Sequence, residues 1–165
     1  MRRITLALLL LFPAISNAQG KFATGDIKKL VGRIFTENGD PGLRGFQFNE
    51  GSMISPLKDP HRIVANVYKK GSTVIVLVSL LKDSVKKLYQ ILDVLEIKNV
   101  QKGWEVRTAL CRQDQQDDAE IVALAKQSKE DFLTGIQKAW RFNRQKRYFE
   151  SLAVRGIDCF NEGDD

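Results

Sequence analysis

Residues 73–81 form an almost unbroken run of β-branched and aliphatic side chains. A short apolar run of this kind predicts a strand that is buried on both faces of a sheet. Before it, Ile63, Ala65 and Val67 alternate with more polar neighbours, and Lys-Lys-Gly-Ser at 69–72 is typical of a turn. The sequence therefore predicts a hairpin whose second strand lies in the centre of a sheet.

The rest of the chain contains further strand-like segments. Residues 85–97 fit both a strand and a helix, and we predict a strand. Residues 104–111 alternate cleanly, and residues 119–126 form a short apolar run, so residues 112–118 would connect two antiparallel strands. Residues 148–154 are predicted to return as an edge strand.

Two segments carry the 3.6-residue period of an amphipathic helix. In residues 26–36 the apolar side chains recur at offsets 0, 3, 4, 7 and 8 from Ile27, and in residues 129–143 they recur at offsets 0, 4, 7 and 8 from Phe132. We predict a helix over each segment. The predicted fold class is α+β: an antiparallel β-meander of four to five strands flanked by an N-terminal and a C-terminal helix, with one disulfide.

Residues 1–18 have the three-part layout of a secretory signal peptide: a basic start, an unbroken apolar run and a small-residue exit. The apolar run, at 4–12, is much shorter than the roughly 20 residues that a transmembrane helix needs. We expect cleavage after Ala18, which leaves residues 19–165 as a single mature domain with no integral membrane span. The protein is then exported, to the periplasm or as a secreted protein.

Cleavage also changes the net charge, because the leader holds two arginines and no acid. The full chain has 26 Lys+Arg against 20 Asp+Glu, a net charge of +6, so the mature chain carries +4. An excess this small does not match the strongly basic composition of nucleic-acid-binding domains. We therefore expect no nucleic-acid partner.

Cys111 and Cys159 are the only cysteines in the chain. In an oxidising compartment, an even pair with one possible connectivity predicts one intramolecular disulfide. His61 is the only histidine, so a metal site or a histidine-based catalytic group lacks the partners that it needs. We expect no metal, no cofactor and no catalytic residue.

The segment at 40–60 contains every proline of the mature chain and is predicted to be a long Gly/Pro loop. Structureless loops of this length are uncommon in compact domains and are often functional. Its apolar side chains either pack onto the core or contact a partner. The candidate partner-binding residues of this loop are Phe46, Phe48, Met53 and Ile54.

A second candidate surface lies at 138–149, where cations are interleaved with aromatic rings and no acid occurs. Such an arrangement can grip anionic material such as a phosphorylated glycolipid or an acidic glycan. A competing interpretation is that Trp140 packs inward while the cations are only solvated. The candidate anion-binding residues are Lys138, Arg141, Arg144, Lys146 and Arg147, and the candidate aromatic contacts are Trp140 and Tyr148.

The chain contains none of the usual motifs for nucleophilic, zinc-dependent or nucleotide-dependent chemistry. We therefore predict a small, exported, non-enzymatic protein that binds a partner protein in the bacterial envelope, of the inhibitor, immunity or assembly-accessory type. Binding of an anionic envelope glycolipid or glycan through residues 138–149 is the alternative. A carboxylate-based hydrolase is the third hypothesis, and it would need two facing acids in a cleft.

Overall fold

The structure is a computed structural model, and it describes residues 19–37 and 41–162. Nearly all of the regular secondary structure in the described part is β-strand, so the predicted α+β class is wrong. Its elements are one short helix, α1 (Gly25–Lys28), and the strands β1 (Ile34–Thr36), β2 (Gln47–Met53), β3 (Ile63–Lys70), β4 (Thr73–Asp83), β5 (Leu88–Ile97), β6 (Trp104–Thr108), β7 (Cys111–Gln113), β8 (Gln116–Asp117), β9 (Ile121–Lys126), β10 (Phe132–Leu133), β11 (Ile136–Asn143), β12 (Tyr148–Leu152) and β13 (Ile157–Phe160).

Five strands form the first sheet in the order β1-β5-β4-β3-β2, and all neighbouring pairs are antiparallel. The predicted hairpin is confirmed, because β3 and β4 pair along their length around a turn at residues 71–72. The run at 73–81 lies in β4, the central strand, where every residue from 74 to 80 is buried. The ambiguous segment at 85–97 contains β5, a strand as predicted.

The second sheet has the order β12-β11-β9-β6, and a third, smaller sheet has the order β10-β13-β7-β8. β6 and β9 are antiparallel neighbours, as predicted for the segments at 104–111 and 119–126. The link between them is more than a turn, since it contains the short β7–β8 hairpin of the third sheet. The predicted edge strand at 148–154 is confirmed as β12, which lies at the edge of the second sheet.

The order of the layers follows from which faces of the sheets are apolar. The inner face of the first sheet packs on the second sheet and forms the main core. The first sheet contributes the buried side chains of Val67, Val76 and Leu95, and the second sheet contributes those of Phe142 and Phe149. A second core lies on the outer face of the first sheet, under the N-terminal segment. A third core lies between the second and third sheets, around the two cysteines.

The helix predicted at 26–36 is wrong, because the segment leaves helical geometry after one turn. α1 ends at Lys28, and Gly32 has a φ of +85°, a left-handed conformation that a helix interior does not contain. The chain then runs along β5, where the Gly32 N–H donates to the Ile91 carbonyl at 2.8 Å and β1 follows. Ile34, which a helical stripe would bury, is 59% exposed.

The C-terminal helix predicted at 129–143 is also wrong, because this segment forms β10 and β11. β11 lies between β9 and β12 and pairs with both. Its apolar side chains are buried on two faces: Trp140 and Phe142 belong to the main core, and Ala139 belongs to the third core. Apolar offsets that suit one face of a helix here serve both faces of a strand.

The Gly/Pro-rich segment at 40–60 is only partly the long loop that was predicted. Its residues 47–53 form β2, an edge strand of the first sheet that pairs with β3. The pairing register shifts between Phe48 and Glu50, as in a β-bulge. The segment therefore contributes backbone to the sheet as well as side chains to its surface.

Two features bear on the expected export. The signal peptide predicted at 1–18 lies outside the described residues. In the described ranges, no helix is long and apolar enough to cross a membrane.

The predicted disulfide is confirmed: Cys111 and Cys159 are directly opposite in β7 and β13, bonded to each other and buried.

Candidate functional site

An open cleft lies on the outer face of the first sheet, beside the part that the N-terminal segment covers. β3 alternates along its length, so that Ala65 and Val67 belong to the main core whereas Val64, Asn66 and Tyr68 face outward. The N-terminal segment covers the outer face over β4 and β5 but leaves it open over β3 and β2. The resulting cleft has a volume of about 1060 Å³.

Aromatic side chains dominate the walls of this space, which we call the aromatic cleft. The rings of Phe48 and Tyr68 meet edge to face with centroids 5.6 Å apart, and Phe35 stacks on Tyr89, also at 5.6 Å. Phe48 is 60% exposed, so its ring presents apolar surface to solvent. Other residues that line the aromatic cleft are Glu37, Arg44, Phe46, Gly51, Met53 and Asn66.

Beneath Phe48, the floor of the aromatic cleft is a glycine. A Cβ atom at Gly51 would lie 2.7 Å from the Asn66 Oδ1 atom and 3.4 Å from the Cζ atom of Phe48. The first distance is shorter than van der Waals contact, so a side chain at this position would displace the Asn66 amide and obstruct the space between Asn66 and Phe48. This part of the cleft therefore depends on a strand position that has no side chain.

The charges around the aromatic cleft are unevenly balanced. The Lys70 ammonium lies 5.7 Å from the centre of the Phe46 ring and donates a long hydrogen bond to the Arg44 carbonyl at 3.5 Å. Neither Arg44 nor Lys70 forms an ion pair with an acid of the described residues. Glu37, an acid that lines the cleft, is paired with Lys87 at 3.5 Å. Among the described residues, this leaves an excess of positive charge beside the cleft.

Three of the four predicted loop residues come together at the aromatic cleft. Phe46, Phe48 and Met53 line it, whereas Ile54 is only 5% exposed and belongs to the main core. Tyr68 was not among the predicted residues, although the alternation that predicts β3 already places it on the face opposite the core. Residues of β1 and β5 were missed because only strand pairing brings them to this face.

Two arginines of the basic segment already have acidic partners within the fold. Arg141 pairs with Asp118 at 2.6 Å. Arg144 pairs with Glu120 and, at 3.2 Å, with Asp59. The polar pocket of about 540 Å³ beside these arginines is lined by charges of both signs, so it is not a cationic surface.

The other three cations of the basic segment do not form a cluster. Lys146 pairs with Glu150 at 2.8 Å and lies 5.8 Å from the centre of the Tyr148 ring. Lys138 and Arg147 are exposed and form no ion pair with a described acid, but they lie at opposite ends of the β11–β12 hairpin. At about 3.3 Å per residue, roughly 16 Å separates their backbones.

The two candidate aromatic contacts of the basic segment differ in exposure. Trp140 is buried in the main core, where its ring meets that of Phe22 edge to face with centroids 6.5 Å apart. Tyr148 is half-buried near the tip of the hairpin. Trp140 therefore packs inward, which is what the second interpretation of residues 138–149 predicted for it.

Among the described residues, two carboxyl groups have a raised pKa, and they contact different parts of the fold. Burial raises the pKa of Asp93, although hydrogen bonds from the N–H groups of Gly20 and Phe149 oppose the shift. Burial also raises the pKa of Glu50, whose carboxylate accepts a hydrogen bond from the Thr108 hydroxyl at 3.2 Å. Neither group lines the aromatic cleft, so that cleft holds neither of these two carboxyls.

The remaining candidate chemistry is sparse in the part of the chain that the structure describes. There, no three His, Cys, Asp or Glu side chains converge in a way that could hold a metal ion. His61 is exposed, and its backbone N–H donates to the Asp59 carboxylate at 2.8 Å.

Comparisons of the chain with protein-family models, with curated proteins and with solved structures found no match.

Proposed function

We propose that this chain is an exported, non-enzymatic protein that binds a partner protein of the bacterial envelope in the aromatic cleft. The observation that carries the proposal is the cleft itself, a space of about 1060 Å³ with five aromatic rings and Met53 on its walls. Large exposed apolar patches are rare on soluble monomers and mark places where another molecule binds.

The shape and chemistry of the cleft favour a segment of a protein chain as the ligand. Pockets for small molecules enclose about 300–1,000 Å³ and bury most of the ligand surface, whereas this cleft is at the upper limit and open along the sheet. Aromatic residues and methionine are enriched at the centres of protein–protein interfaces. In this cleft, Phe48 and Tyr68 supply aromatic surface to which a ligand can anchor. The Asn66 amide, which lies beside Gly51, supplies a polar group.

The disulfide supports the export that the leader sequence predicts. Bonds of this kind form and persist in oxidising places such as the bacterial periplasm, and the Cys111–Cys159 bond is buried in the third core. An exported location would put the partner among the proteins of the envelope.

The alternative ligand, an anionic glycolipid or glycan bound by residues 138–149, has weaker support. Arg141, Arg144 and Lys146 each have an acidic partner within the chain. An anion would have to displace those partners, and Trp140 is buried away from it.

Site-specific photo-cross-linking in cells of the host tests the proposal. One variant carries p-benzoylphenylalanine in place of Phe48, at the rim of the cleft. The matched control carries it in place of Val85, which is 91% exposed in the β4–β5 turn and does not line the cleft. A third form combines the photo-reactive residue at 48 with Gly51→Leu, which obstructs the space between Asn66 and residue 48.

We expect a cross-linked protein with the photo-reactive residue at 48, none at 85, and loss of the cross-link when Gly51→Leu is added. A thermal melt of each purified form establishes that it is folded. Equal cross-linking from both positions, or adducts at 48 that contain only lipid or glycan, would contradict the proposal.

A further inference from the structure

We infer that the segment bound in the aromatic cleft is acidic and that Arg44 and Lys70 bind its carboxylate. The inference rests on the proposed function, because it specifies the chemistry of the partner at the same cleft. Its basis is the unbalanced positive charge beside the cleft and the position of that charge relative to the aromatic rings.

Lys70 does not line the aromatic cleft itself, but its side chain lies beside three residues that do, Arg44, Gly45 and Phe46. Lys70 is the last residue of β3, and its side chain lies against Gly45, where a Cβ atom would come within 3.1 Å of Nζ. Gly45 has a φ of +75°, so this turn has no side chain to block the lysine. From there Nζ lies 5.7 Å from the centre of the Phe46 ring and 3.5 Å from the Arg44 carbonyl.

Like Lys138 and Arg147, neither Arg44 nor Lys70 forms an ion pair with a described acid. Unlike those two, they lie close together, because the Lys70 ammonium is 3.5 Å from the carbonyl of Arg44, which lines the aromatic cleft. Lys146 has Glu150, and even the fully exposed Lys29 has Asp26 at 2.8 Å, whereas the described residues supply no carboxylate to Arg44 or Lys70. A guanidinium can form two parallel hydrogen bonds with a carboxylate, and an ammonium nearby strengthens the attraction. A carboxylate from the partner would complete this arrangement.

The spacing along β3 specifies where the acid lies in the bound segment. Tyr68 and Lys70 are two residues apart in the strand, so both are on the same face, about 7 Å apart. An extended segment repeats at the same spacing. If it places an apolar side chain against Phe48 and Tyr68, the side chain two residues away lies beside Lys70. The motif is thus an apolar or aromatic residue and an acidic residue separated by one residue, in either order.

The test is a selection of random 12-residue peptides, displayed on phage, against the disulfide-bonded protein and two variants. Arg44→Glu combined with Lys70→Glu reverses the charge and alters only exposed side chains. Gly51→Leu obstructs the space between Asn66 and Phe48, so peptides that bind this variant as well as the wild type give the background of binding elsewhere. Circular dichroism and thermal melts establish that each variant is folded. The readout is the Asp and Glu content of peptides enriched over the Gly51→Leu background.

On the wild-type protein we expect acidic peptides with the stated spacing to be enriched about tenfold over charge-reversed ones, as one charge-assisted pair would produce. On the double variant we expect basic peptides instead. Neutral or basic peptides on the wild type, or acidic peptides on both proteins, would overturn the inference and leave the proposed function standing.

Two further outcomes separate the inference from the proposed function. If no peptide is enriched over the background, the acidic-peptide inference is overturned, and the cross-linking experiment still decides whether a protein occupies the cleft. If polygalacturonate binds the wild type but not the Gly51→Leu variant, and no peptide does, the cleft binds a glycan and both proposals are wrong.

Discussion

The carboxylate of Asp93 accepts a hydrogen bond from the backbone N–H of Phe149 at 2.7 Å, and this contact joins β5 of the first sheet to β12 of the second. Its other oxygen accepts a hydrogen bond from the N–H of Gly20. Asp93 is 1% exposed, so both bonds are shielded from water. One buried carboxylate therefore holds together the two sheets and the N-terminal segment.

Replacing this carboxylate by an amide should destabilise the fold. Asp93→Asn keeps the shape of the side chain but turns one acceptor into an NH₂ donor, which then faces a backbone N–H. Because a buried donor loses its partner, we expect the free energy of unfolding to fall by about 1–3 kcal/mol in urea denaturation. Asp26→Asn, at an exposed position, is the control and should leave the urea midpoint unchanged. Equal midpoints for Asp93→Asn and wild type would contradict this role.

Glu50 should make stability depend on pH. Burial raises the pKa of Glu50 above its ordinary value of 4.5, so the folded protein binds this proton more tightly than the unfolded chain does. The contribution is fully present below pH 4.5 and is lost as the pH rises through the raised pKa.

The variant Glu50→Gln removes this dependence, and its amide oxygen can still accept the hydrogen bond from the Thr108 hydroxyl. We expect the variant to be more stable than wild type at pH 7 and nearly equal to it at pH 4, by urea denaturation at both values. An advantage that is the same at both pH values would argue against a raised pKa.

Removing the disulfide should cost several kcal/mol. The bond joins residues 48 positions apart, and on the chain-entropy model closing such a loop in the unfolded state stabilises the fold by about 4 kcal/mol. The double variant Cys111→Ala/Cys159→Ala should therefore unfold at a much lower urea concentration than the oxidised protein. A loss below about 1 kcal/mol would show that the third core holds without the bond.

Two phenylalanines should behave in opposite ways. Phe142 is fully buried in the main core, so Phe142→Ala should lower the free energy of unfolding by about 3–5 kcal/mol. Phe48 is at the rim of the aromatic cleft, and Phe48→Ala should cost less than about 1 kcal/mol because little surface is buried there. Thermal and urea denaturation compare the two. A large loss for Phe48→Ala would assign that ring to the core rather than to binding.

The parts of the fold that were predicted correctly are those that neighbouring residues specify. A continuous apolar run at 73–81 can only be satisfied by burial on both faces, and the alternation and turn before it define the β3–β4 hairpin. The disulfide followed from the number of cysteines and the expected compartment. These signals are local or compositional, so they do not depend on how the sheets pack.

The two predicted helices failed for a common physical reason. The spacing of apolar residues in a sequence indicates which side chains are buried, but not whether they are buried on one face of the element or on two. In β11, Ala139 and Trp140 are neighbours in the chain and are buried in different cores, which a one-sided helix cannot represent. In the first predicted helix, Gly32 has a left-handed φ and donates a hydrogen bond to β5. The segment therefore leaves helical geometry and continues as the edge strand β1.

The sequence by itself predicts the strands at the centre of the chain, the disulfide, the export of the protein and a segment around Phe48 that carries apolar side chains. The tertiary structure decided what that segment does. It packed Ile54 into the main core, brought Tyr68 and Tyr89 beside Phe48, and left the outer face of β3 uncovered. The physical reason is that a cleft exists only where one layer ends over another, and that depends on contacts between residues far apart in the chain.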